Sequence, residues 1–297
     1  MAKKGFIRKS ADEKKQEVEK LLETLDTGVK NFVYDPERYK ALLDMVTMMP
    51  NYSFNNIVLA KLQLPFARFI APYSKWKELN RNVKKGAKAL RILAPRFKKV
   101  LDNTTNEEET KLIGFVSVPV FDCTQTEGDP LPIEKHKLKL DGESEEAKSI
   151  LSCVIQLAAE DECKVDIDYA EGANGFYSPS THSIVIDSSL SVNHKAKTGV
   201  HELVHSRIHR DTKVSPEECE CVAEGVAYIV CSYFGLDTSS YSFEYVRGWS
   251  SDQGASLLKY GETIQKAASQ LIRDFERMAE VNLVEEDAVI QNELLSA

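Results

Sequence analysis

Apolar residues spaced three and four apart among charges open the chain: Val18, Leu21, Leu22 and Leu25 predict an amphipathic helix over residues 11–25. Asp35-Pro36 predicts the start of a second helix running to about Met48, since aspartate caps free N–H groups and proline's fixed φ suits the first helical position. Ser53 precedes a short third helix from Phe54 to Ala60, and Tyr73–Leu79 predicts a fourth. The pattern then turns to β-branched and aromatic residues over 89–101 and 112–122, two strands joined by the polar stretch 102–110. Gly128-Asp129-Pro130-Leu131-Pro132 and the charged run behind it predict a linker. Beyond it the periodicity predicts a helix at 145–160, strands near 164–168, 175–177 and 183–186, and helices over about 192–209, 216–234 and 254–280. Ser215-Pro216-Glu217-Glu218 reads as a capping box at the start of the second of these three, and Gly235 as its stop. The whole is an α+β chain of two domains. Residues 1–130 form a helical domain with a β-hairpin or small sheet, 131–144 a linker and 145–297 a second domain.

The composition, 42% hydrophobic and 28% charged over 297 residues, excludes a disordered or fibrous chain. No apolar run approaches the ~18 residues of a membrane span, and the start leads into charged sequence, so no membrane partner and a cytoplasmic location are expected. Six cysteines in that setting read as reduced thiols. The net charge of −8 argues against a nucleic-acid partner until it is divided along the chain. Residues 1–100 hold 22 lysines and arginines against 10 acids, a charge of +12, and the remaining 16 and 36 give −20. So large a polarity points to a polyanion at the first third.

His201-Glu202-Leu203-Val204-His205 is an H-E-x-x-H sequence inside a helical pattern. Residues four apart share a helix face, so both imidazoles can reach one zinc ion, with Glu202 beside them as the base that takes a proton from water. A following helix offers the third ligand of an open hydrolytic site. There Glu220 and Glu224 share a face, Glu220 suiting the ion and Glu224 an imidazole N–H. Glu217 and Glu218 are rivals, but acids in a first turn are favoured by the helix dipole anyway. His209, one turn beyond His205, is expected to support the site or the helix end rather than to bind the ion. Cys219 and Cys221 read as small buried residues, and His182 and His194 as ordinary loop histidines. The segment from Asn174 to Tyr177 offers a strand edge for an extended peptide.

From Lys61 to Lys99 there are twelve Lys or Arg residues and one acid, Glu78, interleaved with Phe66, Phe69, Tyr73, Trp76 and Phe97. Cations that follow phosphates and aromatic faces that stack on bases are the combination used for single strands. Asn55, Asn56, Asn80 and Asn82 add hydrogen-bonding capacity. The competing reading makes the aromatics core and the lysines a solvated face.

The chain resembles the ArdC anti-restriction and LtrC-like family of plasmids and integrative mobile elements. In the first part the resemblance is carried by Asn51-Tyr52-Ser53-Phe54-Asn55-Asn56, Tyr73-Ser74-Lys75-Trp76, Val83 to Lys88, and Val120 to Gly128. In the second it is carried by Gly175-Phe176-Tyr177, His201 to His205, Ala223 to Tyr228, and Phe234-Gly235-Leu236-Asp237. One departure is Gly86-Ala87-Lys88-Ala89, where the family has Gly-Glu-Lys-Gly. The resemblance implies a domain that binds single-stranded DNA followed by a gluzincin-like zinc metallopeptidase domain. It also implies a role in anti-restriction, or in protecting or processing a strand during conjugative transfer. A protein substrate or a restriction enzyme would be a further partner, and a zinc domain serving only as scaffold is the alternative. The candidate site residues are then Glu202 as catalytic base, His201, His205 and Glu220 on zinc, and Glu224 and His209 in support. The candidate DNA contacts are Tyr52, Asn55, Asn56, Tyr73, Trp76, Arg81, Lys84, Lys85, Lys88 and Arg91.

Overall fold

The computed structural model describes residues 10–29, 35–101, 108–131, 143–210, 213–236 and 255–296. The chain forms two compact units, residues 1–32 with 55–131 and residues 33–54 with 132–297. This corrects the continuous first domain expected over 1–130. The helix α2 (Pro36–Met48) starts as expected, with the Asp35 carboxylate accepting from Glu37 and Arg38 N–H. It buries Tyr39, Leu42, Leu43 and Val46, and its Asp44 accepts a 2.6 Å bond from the Tyr228 hydroxyl of the second unit. The Pro50 carbonyl likewise accepts from Gln265 Nε2 at 2.6 Å. Most of the predicted linker, 132–142, lies outside the described residues, as do residues 102–107 and Asp237.

In the first unit, α1 (Ala11–Gly28) begins with a capping box between Ser10 and Glu13. Strands β3 (Leu90–Leu101) and β4 (Glu108–Asp122) form a long antiparallel hairpin, broken by a bulge at Arg96/Phe97. β4 starts earlier than its residue pattern predicts, because β3 continues as its partner and Lys99 pairs with Glu108 at 2.8 Å. The short β1 (Ile70–Ala71) flanks β4, which leaves β3 at the edge in the order β1-β4-β3. An unpaired edge exposes backbone N–H and C=O groups. Helix α3 (Phe54–Gln63) covers this one with two amide side chains. Asn56 Nδ2 donates to the Leu93 carbonyl at 2.8 Å and its Oδ1 accepts from Leu93 N–H at 2.9 Å. Gln63 does the same for Arg91, at 2.8 Å in both directions.

Helix α4 (Tyr73–Glu78) follows, and β2 (Arg81–Val83) pairs antiparallel with β5 (Thr126–Gly128). Gly128 is required there: a Cβ would lie 2.3 Å from the Asn80 carbonyl oxygen. The fully buried Asp122 accepts from the N–H groups of Arg68, Phe69 and Thr124 at 2.8, 3.1 and 2.9 Å, so its charge is met by fixed donors.

The second unit packs α2, α5 (Glu145–Glu160), α6 (Val192–Val204), α7 (Pro216–Tyr233) and α8 (Ala255–Ser296) with a three-stranded sheet. Its strands β6 (Lys164–Asp168), β7 (Gly175–Ser178) and β8 (Ser183–Asp187) run in the order β6-β8-β7, parallel then antiparallel. Ser215 caps α7 by accepting from Glu218 N–H, but the Glu218 carboxylate pairs with Lys259 at 3.1 Å, so only the serine half of the expected box is seen. The helix ends in a Schellman turn: Leu236 N–H donates to Cys231 and Gly235 N–H to Ser232, with Gly235 at φ +94°.

Candidate metal centre

The H-E-x-x-H residues straddle a change of helix type. α6 stops at Val204, and His205–His209 form a π-helical turn where the sequence predicts continuous α-helix to 209. The Ser206 hydroxyl donates to the Leu203 carbonyl at 2.9 Å, and this side-chain competition for a backbone acceptor accompanies the widened turn. α6 lies close against the sheet because glycines allow it. A Cβ on Gly175 would stand 2.6 Å from Thr198 Cγ2, and one on Gly199 would stand 3.2 Å from Ile186 Cδ1.

This packing opens a cleft of about 520 Å³ lined by β7, α6, the π turn and the start of α7. His201 Nε2 and His205 Nε2 lie 3.1 Å apart, and each is 3.3 Å from a different oxygen of Glu220. Among the described residues these three form the one cluster able to offer a metal three ligand atoms, all within 4.8 Å of one another. Bonds of about 2.0–2.1 Å to a tetrahedral ion place ligand atoms about 3.3–3.4 Å apart, close to the 3.1 Å between the two imidazole nitrogens and to the 3.3 Å from each to its own oxygen of Glu220. Two imidazoles and a carboxylate, with a cleft before them, also fit the donor set of an open hydrolytic site.

Neighbouring groups hold each imidazole from behind. Glu224 Oε2 is 3.3 Å from His201 Nδ1, and His209 Nδ1 is 2.9 Å from His205 Nδ1. Burial and the neighbouring His205 push the His209 pKa down to about 4, so it is neutral and can accept. Burial lowers the His201 pKa, but hydrogen bonds to Glu220 and Glu224 and the charge of Glu202 outweigh it and raise it to about 9. Bonds from His201 and His205 hold Glu220 well below the usual carboxylate range. Glu202 is buried, which raises its pKa, and its carboxylate takes a bond from the Tyr177 N–H on β7.

The structure therefore brings His201, Glu202, His205, His209, Glu220 and Glu224 together at one cleft. Cys221 is buried and Cys219 lines the cleft half-buried, neither joining the cluster. His182 is tied to the Tyr177 hydroxyl and the Asp161 carbonyl at 2.9 Å each, while His194 lines the cleft. The sequence reading passed over Lys197, whose Nζ is 3.2 Å from Glu224 Oε1; its place four residues before His201 is the signal that could have found it.

The candidate DNA contacts fare differently. Trp76 is 0% exposed, packs edge-on against Phe69 and donates its indole N–H to the Phe121 carbonyl at 3.0 Å, so it is core and offers no stacking face. Asn56 is spent on the β3 edge. Arg81 bonds Thr126 Oγ1 and the carbonyls of Thr126, Gly128 and Asp129, and Arg91 pairs with Glu17 at 3.4 Å. Asn55 is half-buried, and the half-buried Tyr52, its phenol pKa raised by burial, belongs to the second unit. Tyr73, Lys84, Lys85 and Lys88 are exposed, with Lys84 Nζ bonded to the Thr124 carbonyl at 2.9 Å. Gln125 holds the same basic loop through the Lys88 carbonyl and Lys84 N–H, which gives the resembling motif at 120–128 a structural purpose.

Fold and cleft define the class: an α+β protein of two units, one of which holds a two-histidine, one-carboxylate cluster. Residues 11–121 match the family model described as the N-terminal domain of anti-restriction factor ArdC, so this segment of the chain is ArdC-like. It is 26% identical over 336 aligned residues to an uncharacterized protein of Bacillus anthracis, pXO2-81; the match covers 94% of this chain but 56% of that relative. The metal-free crystal structure of the antirestriction protein ArdC from plasmid R388 is similar in fold, at a TM-score of 0.50 and 20% identity, covering 75% of this chain and 85% of that one. The Mn(II)-bound structure of the same protein aligns at a TM-score of 0.47 and 20% identity, over 80% of this chain and 97% of that one. Among the described residues no helix is long and apolar enough to cross a membrane.

Proposed function

We propose that the second unit is a zinc-dependent hydrolase of peptide bonds, of the gluzincin-like type, and that the first unit binds single-stranded DNA, the two serving anti-restriction or the handling of a transferred strand. The observation that carries the enzymatic reading is the His201, His205 and Glu220 triangle with the buried carboxylate of Glu202 beside it. A zinc ion held by those three residues supplies Lewis acidity to a substrate carbonyl. Glu202 takes the proton of the attacking water and returns it to the leaving amine, a cycle suited by a carboxyl whose pKa burial has raised. Glu224 and His209 keep the two imidazoles aimed. Among the described residues β7 pairs with no strand but β8, and it lines the cleft, so its outer side, apart from the Tyr177 N–H that Glu202 takes, offers backbone groups to an extended peptide.

Glu202→Gln should keep full metal content by elemental analysis and lose hydrolysis of candidate protein substrates, whereas His201→Ala should lose the metal. Metal-loaded wild-type protein that hydrolyses none of them supports the scaffold alternative, and full zinc content in His201→Ala refutes the site. The DNA reading is supported by the +12 charge of residues 1–100 and by exposed Lys84, Lys85, Lys88, Tyr73 and Phe97. Neutralising the three lysines should weaken single-strand binding and flatten its salt dependence. No binding by the wild-type chain at low salt would refute it.

A further inference from the structure

Lys197 lies on α6 one turn before His201, and its ammonium is 3.2 Å from Glu224 Oε1 while the other oxygen of that carboxylate is 3.3 Å from His201 Nδ1. The side chains of Lys197 and Glu224 are each 22% exposed and that of His201 16%, so the row stands mostly out of water. A carboxylate with one oxygen fixed by a cation has its second oxygen's direction fixed as well. Without the cation, Glu224 would be a largely buried charge held by His201 alone, a costly state that turning toward water relieves. The pair of Lys15 with Glu19 at 3.8 Å, its side chains 78% and 60% exposed, is by contrast screened by water and constrains little. Lys195, two residues earlier, provides the contrast on the same helix: its Nζ donates to the Ser188 carbonyl at 2.8 Å.

We propose that Lys197 is a positioning residue of the metal centre, fixing Glu224 so that His201 presents Nε2 to the ion. The inference rests on the metal reading above. Zinc affinity is measured by chelator competition for wild type, Lys197→Met, Lys197→Arg, Lys195→Met and His201→Ala. In the cobalt-loaded chain the solvent exchange of the shifted His201 Nδ1 proton is followed by NMR, with thermal melts to check folding. Lys197→Met should bind zinc about tenfold more weakly and exchange that proton faster, within the range seen for groups that support metal ligands. Lys197→Arg, which keeps the charge, should restore both readouts to within about threefold of wild type, and Lys195→Met should change neither. Zinc affinity within about twofold of wild type and unchanged proton exchange in Lys197→Met would overturn the role of Lys197 while wild type and His201→Ala still uphold the site. Equal zinc binding by wild type and His201→Ala would remove the site, and the role of Lys197 with it.

Discussion

Zinc binding to this chain should be strongly pH-dependent between pH 7 and 9, because His201 in the metal-free protein carries a proton up to about pH 9. Glu220 and Glu224 stand 3.3 Å from its two nitrogens, and Glu202 adds a third negative charge. A metal ion must displace that proton. With a pKa of about 9, the neutral fraction of His201 rises from about 1% at pH 7 to about half at pH 9, an increase of about fifty-fold in apparent affinity. An imidazole at its ordinary pKa of about 6.5 would give an increase of only about 1.3-fold. Glu220 is ionised and His209 neutral throughout this window, so neither adds to the slope. Chelator competition at half-unit steps of pH gives the slope, and calorimetry in buffers of different ionisation enthalpy counts the released proton. The metal-free chain should show the opposite trend. A folded pKa above the unfolded one contributes stability that is complete below about pH 6.5 and lost as pH rises through about 9. Melting temperature should therefore fall over that window without metal, while the stabilisation gained on adding zinc grows. Zinc affinity constant within about twofold from pH 7 to 9, or no proton released, would refute the assigned surroundings of His201.

The clustering of His201, His205 and Glu220 is legible in the sequence because it depends on spacing. H-E-x-x-H and the Glu220/Glu224 pair need only a helical period to bring their side chains to one face, and the helices are there. His209 was harder, since a π turn, which no periodicity predicts, sets its distance from His205. The candidate DNA contacts are corrected at particular residues for one reason: composition counts aromatics and amides without showing what they face. Trp76 fills the core and Asn56 closes a sheet edge, while Phe97, on the hairpin beyond the bulge, is 59% exposed. The domain boundary near 130 was marked by Pro and charge, but the transfer of residues 33–54 to the second unit depends on long-range bonds such as Tyr228 to Asp44, which local sequence does not encode.

Trp76→Phe should lower stability by about 2–3 kcal/mol in denaturant unfolding, from lost volume and an orphaned Phe121 carbonyl, with single-strand affinity of the folded chain unchanged. Intact stability with weakened DNA binding would return Trp76 to the interface. Asn56→Ala strips both bonds from Leu93 at the sheet edge and should cost about 2 kcal/mol, again without altering affinity per folded molecule. Phe97→Ala reverses the pattern. The ring is 59% exposed and its cross-strand partner Leu112 is exposed too, so truncation removes little packing and the melting temperature should hold. If bases stack on the Phe97 ring, the loss should be about 1–3 kcal/mol, or roughly five- to a hundred-and-fifty-fold in single-strand affinity, read by fluorescence titration at low salt. Unchanged affinity would refute a stacking role for Phe97.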